Sequence, residues 1–148
     1  MSLKIIHTAD WHLGQTFFGY DRDEEHEAFL SWLIDILTLR QTDVLLIAGD
    51  VFDVANPSAA AQRRFFRFLR EANRHNPQLQ IVIIAGNHDS AARLEAPIPL
   101  LEELNTSIVG VVPRTDLCKI DFDSLLIPLY NKDGKREAFG LAVPFLGQ

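Results

Sequence analysis

The sequence predicts an α/β protein with a parallel sheet flanked by helices. Three observations carry this. Short apolar runs rich in branched residues recur at 3–6, 44–48 and 81–85. Helical hydrophobic spacing separates each run from the next, and polar loops follow each run. Strand, helix, strand, helix, strand in this order is the pattern of βαβ units. A length of 148 residues, with 47% hydrophobic and 23% charged residues, corresponds to about one globular domain.

The runs of four or five apolar residues read as strands buried on both faces, as in parallel sheets. Between the first two, His26, Phe29, Leu30, Leu33, Ile34 and Leu37 form one helix stripe. Asp21, Asp23, Glu24 and Glu25 precede or open that helix, where its dipole favours negative charge. In the second interval, Asn56 suits an N-cap with Pro57 at the first helical position. Ala61, Phe65, Phe68, Leu69 and Ala72 repeat the helical spacing, and 73–77 stop it. After Pro99 the pattern is meander-like. A short helix is expected at 100–104 and strands at 107–112, 117–122, 125–130 and 139–143, with Asp133-Gly134 as a turn.

Composition excludes several classes. No apolar run reaches membrane-spanning length and no signal-peptide pattern opens the chain, so a soluble, cytoplasmic protein is expected. A single cysteine, Cys118, leaves no internal disulfide and no thiolate metal cluster. A net charge of −6 argues against a simple cationic nucleic-acid binder. Divalent metals can nevertheless bring phosphates to an acidic chain.

The chemistry-bearing residues sit at the three strand ends, where open α/β sheets bind their ligands. Asp10 lies three residues past His7, Asp50 three past Ile47, and Asn87 three past Ile84. His12 follows Asp10 by two. Gly49 and Gly86 precede the second and third of these, and a missing Cβ there permits a sharp turn and close approach. Oxygen and imidazole donors suit Mn, Fe, Mg or Zn. His88 is placed as general acid toward a leaving oxygen, with Asp89 as a candidate to orient its ring. Each short motif alone is common loop chemistry; three in order and in one register are not.

These segments, Asp10-Trp11-His12-Leu13-Gly14, Gly49-Asp50-Val51-Phe52-Asp53 and Gly86-Asn87-His88-Asp89, resemble the first three motifs of the calcineurin-like metallophosphoesterases. The wording, with the 21–33 helix, is most similar to the bacterial SbcD nucleases of that superfamily. The resemblance is dense from Lys4 to about Ala96 and thin afterwards. It implies a metallophosphoesterase-type sandwich of mixed sheets flanked by helices, incomplete on its C-terminal side. It also implies two divalent ions, with manganese expected and Mg2+ or Fe2+ as alternatives. Asp10 and His12 would hold the first ion, Asp50 would bridge, Asn87 would hold the second, and His88 would steady or protonate the departing oxygen. The implied activity is exonucleolytic and endonucleolytic hydrolysis of DNA ends and hairpins in repair, with an SbcC-type ATPase as partner.

The sequence also departs from that pattern. Its histidines are His7, His12, His26, His75 and His88, so the later histidine motifs of the family are missing. Residues 1–148 are therefore expected to be the amino-terminal part of a single nuclease domain, weak or inactive alone. Missing strands would expose an edge and favour a homodimer. Arg63, Arg67, Arg70 and Arg74 form a basic helical stripe, either a solvated face or a phosphate-binding surface. Phe17, Phe18 and Tyr20 are core residues or a surface for DNA bases or a second protomer. His7, His26 and His75 are expected to be structural or surface residues. Two other readings are a phosphoesterase acting on cyclic nucleotides or small diesters, and a non-catalytic interaction protein that keeps the fold.

Overall fold

The structure, a computed structural model, describes residues 2–147. Strands β1 (Ile5–Thr8), β4 (Val44–Ala48), β5 (Gln80–Ile84) and β6 (Thr106–Val109) form one parallel sheet in that spatial order. A hairpin of β2 (Thr16–Phe17) and β3 (Tyr20–Asp21) follows β1, and an antiparallel pair of β7 (Leu126–Tyr130) and β8 (Arg136–Leu141) follows β6. Helices α1 (Asp23–Leu39) and α2 (Ala59–His75) are the two long crossovers, and a short helix α3 (Ala91–Glu95) follows β5.

Alternation along the strands divides the core into two layers, because successive side chains point to opposite faces. Leu45, Ile47, Ile81, Ile83 and Ile108 pack with Leu30, Leu33, Leu37, Phe65 and Leu69 of the helices. Val44, Val82 and Val109 point the other way and pack with Leu125, Leu129 and Ala142 beside the β7–β8 pair. Two buried polar residues pin that second layer. Gln80 donates from Nε2 to the Pro128 carbonyl at 2.8 Å and accepts from the Tyr130 N–H at 3.3 Å. Asp43 accepts from the backbone N–H of Lys4 and of Lys132, at 2.7 and 3.0 Å.

Several local expectations need correction. The first strand is Ile5–Thr8 rather than 3–6, and its Ile5 and His7 are exposed. Its position at the sheet edge, paired only with β4, removes the cover that a central strand has. Ser58 caps α2 instead of Asn56, its hydroxyl accepting from the Ala61 N–H at 3.1 Å. The helix expected at 100–104 is α4 (Ile98–Leu101), a single turn continued by a 3₁₀ turn at Glu102–Leu104. Residues 117–122 form no strand: one bridge between Arg114 and Ile120 closes a turn with Cys118 at φ +59°. A short helix α5 (Phe122–Leu125) follows, capped by the Asp121 carboxylate.

Trp11, in the first motif, is a core residue. Its indole meets Phe29, Phe65 and Phe68 edge-on at 5.7, 6.2 and 5.2 Å, and its Nε1 donates to Thr8 Oγ1 at 2.9 Å. The loop after β1 is thereby anchored to both long helices. Arg64 is buried as well, held by Asp23 at 2.8 Å and Glu27 at 2.9 Å. His26 lies inside the helix layer, where its place on the α1 stripe puts it.

Phe65, fully buried among these rings, is the packing centre. Phe65→Ala is expected to lower unfolding free energy by about 3–5 kcal/mol in urea titration. Burial, then Arg22 and Arg64, hold the His26 imidazole below its ordinary value of 6.5. The unfolded chain therefore binds its proton first, and this contribution to stability is complete above about pH 6.5 and declines as pH falls below it. His26→Gln is expected to flatten the slope of stability with pH in that window.

Candidate metal centre

The loops after β1, β4 and β5 meet at the carboxyl ends of the parallel sheet. Backbone bonds join the first two: the N–H groups of Asp10, His12 and Leu13 donate to the carbonyls of Gly49, Asp50 and Val51 at 3.1, 3.0 and 2.9 Å. Asp10, His12 and Asp50 all have left-handed backbones, with φ of +56°, +48° and +49°. Such conformations are uncommon outside glycine and persist where surrounding bonds over-determine them.

Asp50 sits against the third loop. Its carboxylate is buried and accepts from the His88 N–H at 3.0 Å. A Cβ on Gly86 would stand 2.1 Å from Asp50 Oδ1, and one on Gly49 would stand 2.9 Å from the Gly86 Cα. Both glycines are therefore steric requirements of the junction, and Gly49 is also left-handed at φ +86°.

Asp89 staples the same junction. Its carboxylate accepts from the N–H groups of Val51, Phe52 and Gly86 at 3.2, 3.0 and 2.9 Å. These bonds fix the loops relative to one another. The His88 ring is oriented differently from expectation: Nδ1 lies 2.7 Å from the Asp53 carbonyl oxygen rather than on Asp89. A carbonyl can only accept, so Nδ1 carries the proton and Nε2 is left for other partners. This bond first, with the nearby carboxylates of Asp50, Asp53 and Asp89, raises the His88 pKa above its ordinary 6.5 against an opposing desolvation.

Two groups of donor atoms result, each within a 4.8 Å span: Asp10, His12 and Asp50, and His12, Asp53 and His88. His12 belongs to both. Its Nδ1 is shielded from solvent without a well-formed hydrogen bond, 3.2 Å from Asp53 Oδ1, and its Nε2 is 4.0 Å from Asp10 Oδ1. An unpartnered imidazole nitrogen among carboxylate oxygens is a donor set for a hard or borderline divalent cation, so these residues fit such an ion. Asn87 is exposed on the same loop, immediately before His88.

Asp53 is a candidate donor that sequence reasoning left out of the ligand set. The D-x-x-D spacing from Asp50 could have flagged it. The arginine stripe is exposed on α2, but most of it is paired: Arg67 with Glu27, and Arg70 and Arg74 with Glu71 at 3.4 and 2.8 Å. Exposed pairs of this kind contribute little to stability and leave a weaker field than four free cations would.

Gly86→Ala is expected to displace the Asp50 carboxylate and weaken divalent-cation binding measured by calorimetry, with unfolding still cooperative. Asp89→Ala, which strips three backbone donors of their acceptor, is expected to lose about 1–3 kcal/mol of stability in urea titration.

The calcineurin-like phosphoesterase family matches residues 3–138. A protein of Rhodobacter capsulatus, named as the SbcD component of nuclease SbcCD, is 50% identical over 146 residues, covering 99% of this chain and 36% of that protein. Proteins of the same name from Escherichia coli K12 and Bacillus subtilis are 38% and 39% identical, over 81% and 82% of this chain and 33% and 31% of their own lengths. The chain thus spans about a third of the length of the curated relatives it matches. With the family match extending across nearly its whole length and the three motifs gathered at one sheet end, the chain belongs to the calcineurin-like phosphoesterase family.

Proposed function

We propose that this chain is the metal-binding part of a DNA nuclease that hydrolyses phosphodiesters. The observation that carries the reading is the convergence of Asp10, His12, Asp50, Asp53 and His88 on one sheet end, with donor atoms within 4.8 Å in each group. The relatives' name, as the SbcD component of nuclease SbcCD, supports DNA as substrate and an SbcC-type ATPase as partner. Ends and hairpins are the proposed DNA structures, repair and recombination the setting, the cytoplasm the compartment, and a homodimer the assembly. Among the described residues, no helix is long and apolar enough to cross a membrane.

Asp10, His12 and Asp50 would hold one divalent ion, and Asp50 and Asn87 a second, with manganese as the proposed metal. Asp53, beside His12, is added to that set. Bound cations at such a site polarise the phosphate, promote ionisation of water and stabilise the attacking and leaving oxygens. The chain's own residues do the rest. Asp89 keeps the loops after β4 and β5 in register, and Gly86 leaves room for Asp50 beside it. The Asp53 carbonyl holds the His88 ring by Nδ1–H, so that the imidazolium form can give its Nε2 proton to the departing alkoxide and keep the Nδ1 proton. Arg63, Arg67, Arg70 and Arg74 are proposed as secondary phosphate contacts away from this chemistry.

The test is hydrolysis of a DNA hairpin and of bis(p-nitrophenyl) phosphate by the protein at its native length, with and without manganese. Cleavage of both, lost on metal removal, is expected, and His88→Ala is expected to lower kcat by roughly 10²–10⁴-fold. The isolated 148-residue chain is expected to be weak or inactive by comparison. Hydrolysis of the small diester without any cleavage of DNA would instead favour a small-phosphodiester enzyme.

A further inference from the structure

The β2–β3 hairpin leaves the sheet directly after the ligand loop. Phe17, Phe18 and Tyr20 on it are 65%, 86% and 79% exposed, and none belongs to either core cluster. Phe17 pairs with Tyr20 across the hairpin, so both rings rise from the same face. Phe18 and Gly19 form the two-residue turn, with φ of +50° and +82°. Such turns favour Asn-Gly, because a bulky side chain is strained in the left-handed region. Here an aromatic ring occupies that strained position and points into solvent, meeting Phe17 edge-on at 4.6 Å.

The hairpin is also firmly held. Arg22 Nη1 donates to Gln15 Oε1 across its base at 2.8 Å, and the Gln15 N–H donates to the His12 carbonyl at 3.0 Å. Phe17 is five residues beyond His12, which limits their Cα separation to about 18 Å. At the ~3.4 Å per nucleotide of a stacked strand, this is a reach of at most about five nucleotides, and fewer for an unstacked one. Cationic recognition is limited on this face, since the chain carries a net charge of −6 and Arg22 is already paired with Glu25. Stacking is the attraction left to such a surface, and it tolerates any sequence because every base presents a π-face.

We propose that Phe17, Phe18 and Tyr20 form a stacking platform for nucleobases within a few nucleotides of the phosphodiester held at the Asp10, His12 and Asp50 cluster. This rests on the nucleolytic reading above. The occupant is a frayed or single-stranded DNA end, since paired bases keep their faces covered.

The test uses the native-length protein with manganese, in a His88→Ala background to slow cleavage. The probe is a single-stranded oligonucleotide with 2-aminopurine near its end, and an otherwise identical oligonucleotide with abasic sites at the same positions is the control. The expected result is fluorescence quenching on binding. The combined Phe17→Ala, Phe18→Ala and Tyr20→Ala protein should lose the quenching and bind the base-bearing strand at least fivefold more weakly. Replacing the same three residues by Trp should restore both, and affinity for the abasic strand should barely respond. Unchanged quenching and affinity in the alanine protein would overturn the platform. If the parent protein still cleaves DNA in that case, the nucleolytic reading survives alone. If it hydrolyses bis(p-nitrophenyl) phosphate but neither binds nor cleaves DNA, both fall. Dissociation of a dimer on alanine substitution, with quenching intact, would make the hairpin a contact between copies and overturn the proposal.

Discussion

The structure depends on the meeting of two loops at Gly49 and Gly86. Asp50 can lie over the β5 loop only because Gly86 has no Cβ, and Gly49 can face Gly86 only because it has none either. The Asp89 carboxylate then satisfies N–H groups from both loops, including Gly86 itself. Buried backbone donors must find acceptors, so this carboxylate converts a steric opportunity into a fixed geometry. The His88 N–H on Asp50 completes the closure.

The rest of the site follows from that closure. With Asp50 fixed, its carbonyl receives the His12 N–H, which places the imidazole between the Asp10 and Asp53 carboxylates. The left-handed backbones of Asp10, His12 and Asp50 are tolerable because each is held from outside. Trp11 supplies much of that hold. Flanked by two candidate ligands, it is sunk among Phe29, Phe65 and Phe68, so helix packing and site geometry share one side chain. A rigid hydrophobic anchor beneath polar ligands limits how far they can drift when charge is added or removed.

The parallel sheet also sets the chemical polarity of the molecule. The candidate ligands come from the carboxyl ends of β1, β4 and β5, while the opposite end carries structural polar residues. Asp43 and Gln80 are buried there, yet every bond described for their side chains ties β7, the turn after it or the chain before β1 to the sheet. Burial of a polar residue therefore has different meanings at the two ends: positioning of donor atoms at one, docking of a second layer at the other.

Much of this was legible in the sequence. The strand cores at 44–48 and 81–84, the α1 stripe and the α2 stripe are set by local periodicity, which depends only on backbone geometry. The three motifs likewise marked Asp10, His12, Asp50 and His88, which the fold brings to one sheet end, because glycines beyond a strand constrain the backbone locally. Tertiary packing decided the rest. Ile5 and His7 are exposed because β1 lies at the edge, a fact of sheet order that its own residues do not encode. Residues 117–122 alternate like a strand but have no partner strand to bond with, and they close into a turn. Asp53 and Asp89 are both carboxylates near a glycine motif. Only the folded chain distinguishes them, since one faces the His12 nitrogen across 3.2 Å and the other is consumed by three backbone donors. Local sequence determines which donors are available, and the approach of separate strands determines which of them remain free to bind.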